Sequence, residues 1–271
     1  MIKVLAKGFT NKMAIMEQGE LKKISATKSK FDLAVYLATF FTGSNSEKAY
    51  FITIWRLMGR DRNFKQRVYP MLGSILVFLV VVLFGNRDGF YDFFESKLYL
   101  MLLYFPLFYL FIIFINLKYT DNPRTAWIYK SLPVNHPGEI VTASLKAFTL
   151  KLFLPVYILC TGFIVYALGW LYVFHIATGL FMCLITLLGF LSLYKVDLPF
   201  TQDSQIKTTN ANFLLSFLIL PLAGVLAGLH FLLIKLQVSF IPISVVLMIF
   251  CWWAFRRVSK IQWSKIETFD I

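Results

Sequence analysis

At 271 residues, 58% hydrophobic and 18% aromatic against 15% charged, the chain has the composition of a membrane protein. A formal net charge of +13 on so apolar a chain argues against nucleic-acid binding and for Lys and Arg gathered at the cytoplasmic face of a bilayer. Cys160, Cys183 and Cys251 sit inside apolar runs with no CxxC or Cys/His spacing, so neither a disulfide framework nor a cysteine metal site is expected.

Residues 1–67 read as basic cytoplasmic or interfacial helices. Leu5, Phe9, Met13 and Met16 repeat at helical spacing with Lys3, Lys7 and Lys12 off that face, the pattern of an amphipathic helix on a bilayer surface. The opening MIKVLAKGF lacks the continuous apolar core of a cleaved signal peptide. Residues 31–41 are apolar but too few to span a ~30 Å hydrocarbon core. Ser44 and Glu47 form a capping box that predicts a helix running toward Arg67. Phe51, Trp55 and Met58 form one stripe of this helix and Arg56, Arg60, Asn63 and Arg67 another.

Six apolar segments follow, at 68–85, 98–117, 152–174, 176–194, 213–234 and 236–255, each near the ~20 residues that a spanning helix needs. They predict an all-α, polytopic six-helix transmembrane domain over 68–257, with a cytoplasmic tail at 258–271. Turns are expected at Phe174-His175 and at Lys235 to Gln237. Phe90, Tyr91, Phe93 and Phe94 fit an aromatic belt at the water interface. Of the 27 Lys and Arg, only Arg87, Lys97 and Lys235 fall in the loops of one parity, which predicts that both termini are cytoplasmic.

Residues 121–151 stand apart. They are far longer than the ~2–8 residues that usually join two helices, and such loops are commonly functional. Asn122-Pro123 and Asn135-His136-Pro137 each place a cap-capable residue ahead of a proline, predicting two short cytoplasmic helices broken at Leu132 to Val134.

Catalytic patterns are missing: there is no HExxH, GxSxG, GxxxxGK[ST] or paired-carboxylate motif, so the chain is not expected to be an enzyme. Asp121, Glu139, Asp197 and Asp203 could serve a lipid-modifying enzyme, but they read more simply as solvated loop positions. His136, His175 and His230 are scattered, and no metal site or cofactor is expected. The six apolar segments contain no Asp, Glu, Lys or Arg, unlike the ionisable midplanes of ion-coupled transporters. Any work on a solute must then arrive from outside the bilayer. Gly224 and Gly228 form a GxxxG suited to helix packing, within the chain or at a dimer seam. Pro106, Pro155, Pro221 and Pro242 are each expected to release a carbonyl and kink a span.

The patterns DNPR at 121–124, WIYK at 127–130 and SLPV at 131–134, followed by Lys146 and Pro155, resemble the cytoplasmic segment of type-2-like ATP-binding-cassette exporter permeases. The stretch GRDRNFKQRVYP at 59–70 and LPFT at 198–201 are similar to the same group. The resemblance implies a bacterial plasma-membrane permease subunit driven by a separate nucleotide-binding ATPase, which would carry the ATP and magnesium. Larger members of that group place a basic linker like residues 1–67 after further spans, which implies a second permease copy or a missing N-terminal half as partner. Trp127, Tyr129, Lys130, Leu132 and Pro133 are the candidate ATPase-coupling surface, with Arg56 and Arg60 as a weaker second contact; Trp127 and Tyr129 read equally as interfacial anchors. The alternative function is a membrane-embedded binding or assembly protein without a transport cycle.

Overall fold

The computed structural model describes residues 32–84, 90–120, 122–126, 129, 136–193, 196–203 and 210–266. The predicted amphipathic helix near Leu5 lies outside these residues. Asp32 opens α1 (Leu33–Phe41), its carboxylate accepting the Ala34 N–H at 3.0 Å. The capping box holds at the start of α2 (Asn45–Arg60), where Ser44 Oγ accepts the Glu47 N–H at 3.1 Å. The Glu47 carboxylate reaches one residue further back than expected, accepting from the Gly43 N–H at 2.7 Å.

The capped helix stops at Asp61 instead of running to Arg67. Asp61 leaves the helical region at ψ 122°, and its carboxylate accepts the Phe64 N–H at 2.7 Å. It thereby caps α3 (Arg62–Phe84), so the first long helix starts on its basic residues. In α4 (Phe90–Glu95), Phe93 and Phe94 are buried, which makes them core side chains and not an aromatic belt. After α5 (Leu100–Asn116) comes a short element that the apolar pattern gave no sign of: β1 (Tyr119–Thr120) pairs in parallel with β2 (Gln202–Asp203).

The third span departs most from expectation. The predicted cytoplasmic helix, α6 (Gly138–Phe148), does not end before the membrane. It passes through a π turn at Thr149–Phe153 straight into α7 (Leu154–Leu168). Pro155 explains the turn. It has no N–H to donate and its ring crowds the carbonyl four residues back, so the backbone widens and Leu154 N–H bonds to Thr149 O instead. The hairpin after this helix lies at Gly169, not at Phe174-His175; Gly169 has φ 95°, which favours glycine. α8 (Val173–Leu193), α9 (Asn210–Lys235) and α10 (Phe240–Val258) match the remaining apolar runs. Pro106 and Pro221 are helix-internal as expected, but Pro242 sits in the first turn of α10, where no carbonyl is released.

Four helices among the described residues are long and apolar enough to cross a membrane: Arg62–Val81, Gly138–Leu168, Trp170–Ser192 and Phe240–Val258. Leu100–Asn116 and Ile219–Lys235 are shorter apolar helices. Outward faces expose Val77, Val81, Ile158, Val225, Val246 and Ile249, an apolar surface suited to lipid. α9 packs along α5, α8 along α10, and α2 along α6.

The polar connections gather at one end of the bundle. There Thr120 Oγ1 donates to Asp61 at 2.7 Å, Lys118 pairs with Asp197 at 2.9 Å, and Val196 bridges Ile266. At the other end Tyr99 meets Tyr172 edge-on at 5.9 Å, and His175 meets His230.

At the polar end α10 closes on α6 through Gly138. Its N–H donates to Ile261 O at 3.2 Å, and a Cβ there would lie 2.6 Å from Ser259 O and 2.7 Å from Ile261 N. Those neighbours are backbone and cannot swing away. Gly138→Ala should therefore lower stability by about 1–3 kcal/mol, read as a fall in thermal midpoint of the detergent-solubilised chain. An unchanged midpoint would show that α10 does not close on α6 here.

Candidate functional site

The site grows from the contact of α2 with α6. Phe51, Ile54 and Met58 form the buried face of α2, against Ile140, Val141, Leu145 and Phe148 of α6. Three polar links cross this apolar seam. Glu47 accepts from Lys146 at 2.7 Å, Ser46 Oγ donates to Glu139, and Lys151 donates to the Trp55 carbonyl. The Glu47 and Lys146 side chains are 8% and 21% exposed, so their attraction is screened far less than at a free surface.

Beside this seam lies a cavity of about 650 Å³ bounded by the end of α1, α6 with its π turn, α8 and α10. That volume falls within the ~300–1,000 Å³ of small-molecule sites. Its lining changes character along two helices at once. On the α6–α7 helix it runs Glu139, Thr142, Lys146, Thr149, Leu150, Leu154; on α10 it runs Ser259, Arg256, Phe255, Trp252, Cys251, Met248. One mouth is therefore charged and the far wall apolar, completed by Leu180, Phe181 and Leu184 of α8.

The sequence-derived coupling surface is only partly described. Trp127, Lys130, Leu132 and Pro133 lie outside the described residues. Tyr129 is buried, its ring 6.4 Å from that of Tyr50 on α2, and so serves as an internal anchor of the segment. Burial raises the Tyr129 phenol well above its ordinary pKa, and burial followed by the nearby Glu139 carboxylate raises that of Tyr50, so both stay neutral at physiological pH. Arg56 and Arg60 are exposed on the outer face of α2, and Arg56 pairs with Asp32 of α1 at 2.7 Å. The Arg56 hydrogen bond holds the Asp32 carboxyl below its usual range. Gly224 and Gly228 face outward with nothing within 4 Å of an added Cβ, so the face that α9 turns to α5 is a different one.

The histidines, scattered in sequence, converge in space. His175 Nδ1 lies 3.0 Å from His230 Nε2, and His230 Nδ1 lies 2.8 Å from Tyr104 Oη. Tyr104 Oη also lies 3.1 Å from Met182 Sδ; in the arrangement where its proton points to the sulfur, it accepts from His230 Nδ1–H. His230 Nε2 is then the acceptor for His175 Nδ1–H. Phe240 stacks on both imidazoles, at 3.8 and 4.6 Å between centroids. These bonds tie α5, α8 and α9 together. Among the described residues no group of three His, Cys, Asp or Glu is placed to hold a metal. Asp197, one of the carboxylates considered for lipid chemistry, pairs with Lys118 and accepts from Gln202 at 2.8 Å.

Two outcomes follow from these geometries. Glu47→Ala strands the Lys146 ammonium and should destabilise the chain by about 3 kcal/mol, whereas Glu47→Leu with Lys146→Met should lie within about 1 kcal/mol of the parent; thermal unfolding of the purified chain reads both. Tyr104→Phe leaves His230 Nδ1 without its hydrogen-bond partner, at about 1–3 kcal/mol. Retention of full stability in that variant would show that the His230–Tyr104 bond contributes nothing.

Comparison of the chain with protein-family models, with curated proteins and with solved structures finds no match.

Proposed function

We propose that the chain is the membrane-spanning permease subunit of an ATP-driven exporter in a bacterial plasma membrane, moving its substrate with energy from a separate nucleotide-binding ATPase. In this reading α3, α5, α6–α7, α8, α9 and α10 are six spans, and the end that gathers the polar connections is cytoplasmic with both termini. ATP and magnesium belong to the partner, and the substrate stays open.

The observation that carries the proposal is the unbroken course of Gly138–Leu168. A permease whose apolar runs carry no charge needs a lever from a cytoplasmic surface into the membrane. A single helix, anchored at its start by α2 and the end of α10 and continuing as a span, has that form. The segment 121–137 feeds directly into it, which is where the resemblance sets the ATPase contact. The exposed Arg56 and Arg60 put a second basic contact on the same α2 whose other face grips α6. The outward GxxxG face of α9 offers close approach to a second permease copy or to a missing half.

Co-expression of the chain with the ATPase encoded in a neighbouring reading frame, followed by purification in mild detergent, tests this. A soluble ATPase with a phosphate-binding loop should copurify, and Trp127→Ala combined with Lys130→Glu should release most of it. A chain that retains no such ATPase is better read as a membrane-embedded binding or assembly protein. Equal retention by the parent and the double variant would remove the 127–133 contact.

A further inference from the structure

We infer that the cavity between α1, α6, α8 and α10 binds a zwitterionic phospholipid carrying a primary ammonium, its phosphate on Arg256, its ammonium on Glu139 and its acyl chains along the apolar wall. This goes beyond the transport reading and stands whether or not an ATPase drives the chain.

The first argument is the charge at the mouth. Glu47 and Lys146 neutralise each other at 2.7 Å. Glu139 receives a hydroxyl from Ser46 but has no cation in ion-pair range among the described residues. Arg256 stacks over Trp252 at 4.0 Å and has no carboxylate in range among them either. One anion and one cation, on two of the helices that line the cavity, are thus without an ion-pair partner among the described residues. A ligand with one charge of each sign complements both, whereas an anionic headgroup meets Arg256 but is repelled by Glu139.

The second argument is independent and lies deeper. Helical threonines of this fold turn their hydroxyls back onto the carbonyl four residues earlier: Thr142 onto Gly138 at 2.6 Å, Thr161 onto Tyr157 at 2.8 Å, and Thr186 onto Met182 at 2.7 Å. Thr149, the first residue of the π turn, does not. It is 8% exposed, lines the cavity, and its Oγ1 has no hydrogen-bond partner among the described residues. A buried hydroxyl left unpaired is unfavourable, and π turns recur at functional sites. Along its helix Thr149 lies between Lys146 of the charged mouth and Leu150 of the apolar wall, where a lipid with its headgroup on Arg256 would pass from headgroup to acyl chain.

The test uses the full chain in phosphatidylcholine vesicles doped with phosphatidylethanolamine or phosphatidylglycerol, each with brominated acyl chains. The signal is quenching of the Trp252 component of fluorescence, isolated by subtracting a Trp252→Phe variant. Brominated phosphatidylethanolamine should quench it more strongly than phosphatidylglycerol or brominated phosphatidylcholine at equal mole fraction. Arg256→Gln should weaken apparent affinity about tenfold. Glu139→Gln should abolish the preference for phosphatidylethanolamine over phosphatidylglycerol while leaving binding measurable. Both positions are at least partly solvent-accessible, and an unchanged thermal midpoint confirms that each variant folds. Equal quenching by the three lipids, insensitive to both substitutions, marks only the surrounding lipid shell and overturns the proposal; so does a preference for phosphatidylglycerol.

Discussion

The constraint on which the rest of the structure depends is the length of one helix. Gly138–Leu168 is 31 residues without a break. At ~1.5 Å per residue it is roughly 46 Å long, against a hydrocarbon core of about 30 Å. Its first turns carry Glu139, Lys146 and Lys151 and are the part that must stand beyond the hydrocarbon. Those turns are nonetheless almost wholly buried, so protein and not lipid has to cover them. α2 and the end of α10 do so, and the Glu47–Lys146 pair and the backbone contact at Gly138 fix where each lies. α1 then follows as a cover for α2, tied to it by Asp32 and Arg56.

The same helix meets a second constraint at the boundary of the membrane. Pro155 at the start of α7 denies one backbone bond, and the chain answers with the π turn rather than a break. A break would have cut the buried first turns from the span. The turn keeps the two mechanically joined. Thr149, the first residue of that turn, lines the cavity, and its hydroxyl is left without a hydrogen-bond partner among the described residues.

Apolar runs and caps made the helices legible: 98–117 and 213–234 correspond closely to α5 and α9, and Ser44 opens α2 as its spacing requires. Two of the errors share one cause, the treatment of a polar residue as a marker of water. Lys146 and Lys151 ended the predicted cytoplasmic helix, yet a carboxylate 99 residues away satisfies Lys146 inside the protein. His175 was given a turn, yet it hydrogen-bonds His230, 55 residues away, within the bundle. The turn instead follows the backbone demand at Gly169, inside an unbroken apolar run where only the glycine signals it. The cavity was illegible because four elements distant in sequence build it and none carries a ligand motif. Among the coupling residues, Tyr129 followed its aromatic character into the core on Tyr50.

α2 presents two faces with different tasks. Its apolar face is locked to α6 by packing and by the Glu47–Lys146 pair, and its outer face leaves Arg56 and Arg60 exposed. A partner that displaces α2 must carry α6 with it, because separating Glu47 from Lys146 would leave both charges partly desolvated. Glu47 and Lys146 are also walls of the cavity, so the same displacement reshapes its charged mouth. Linkage then requires reciprocity: if the cavity holds its lipid more tightly in one position of α2, the lipid favours that position by an equal free energy. The spans need no charge of their own for such coupling. In the proposed permease the Glu47–Lys146 pair would supply that link, because it belongs at once to the α2–α6 contact and to the cavity.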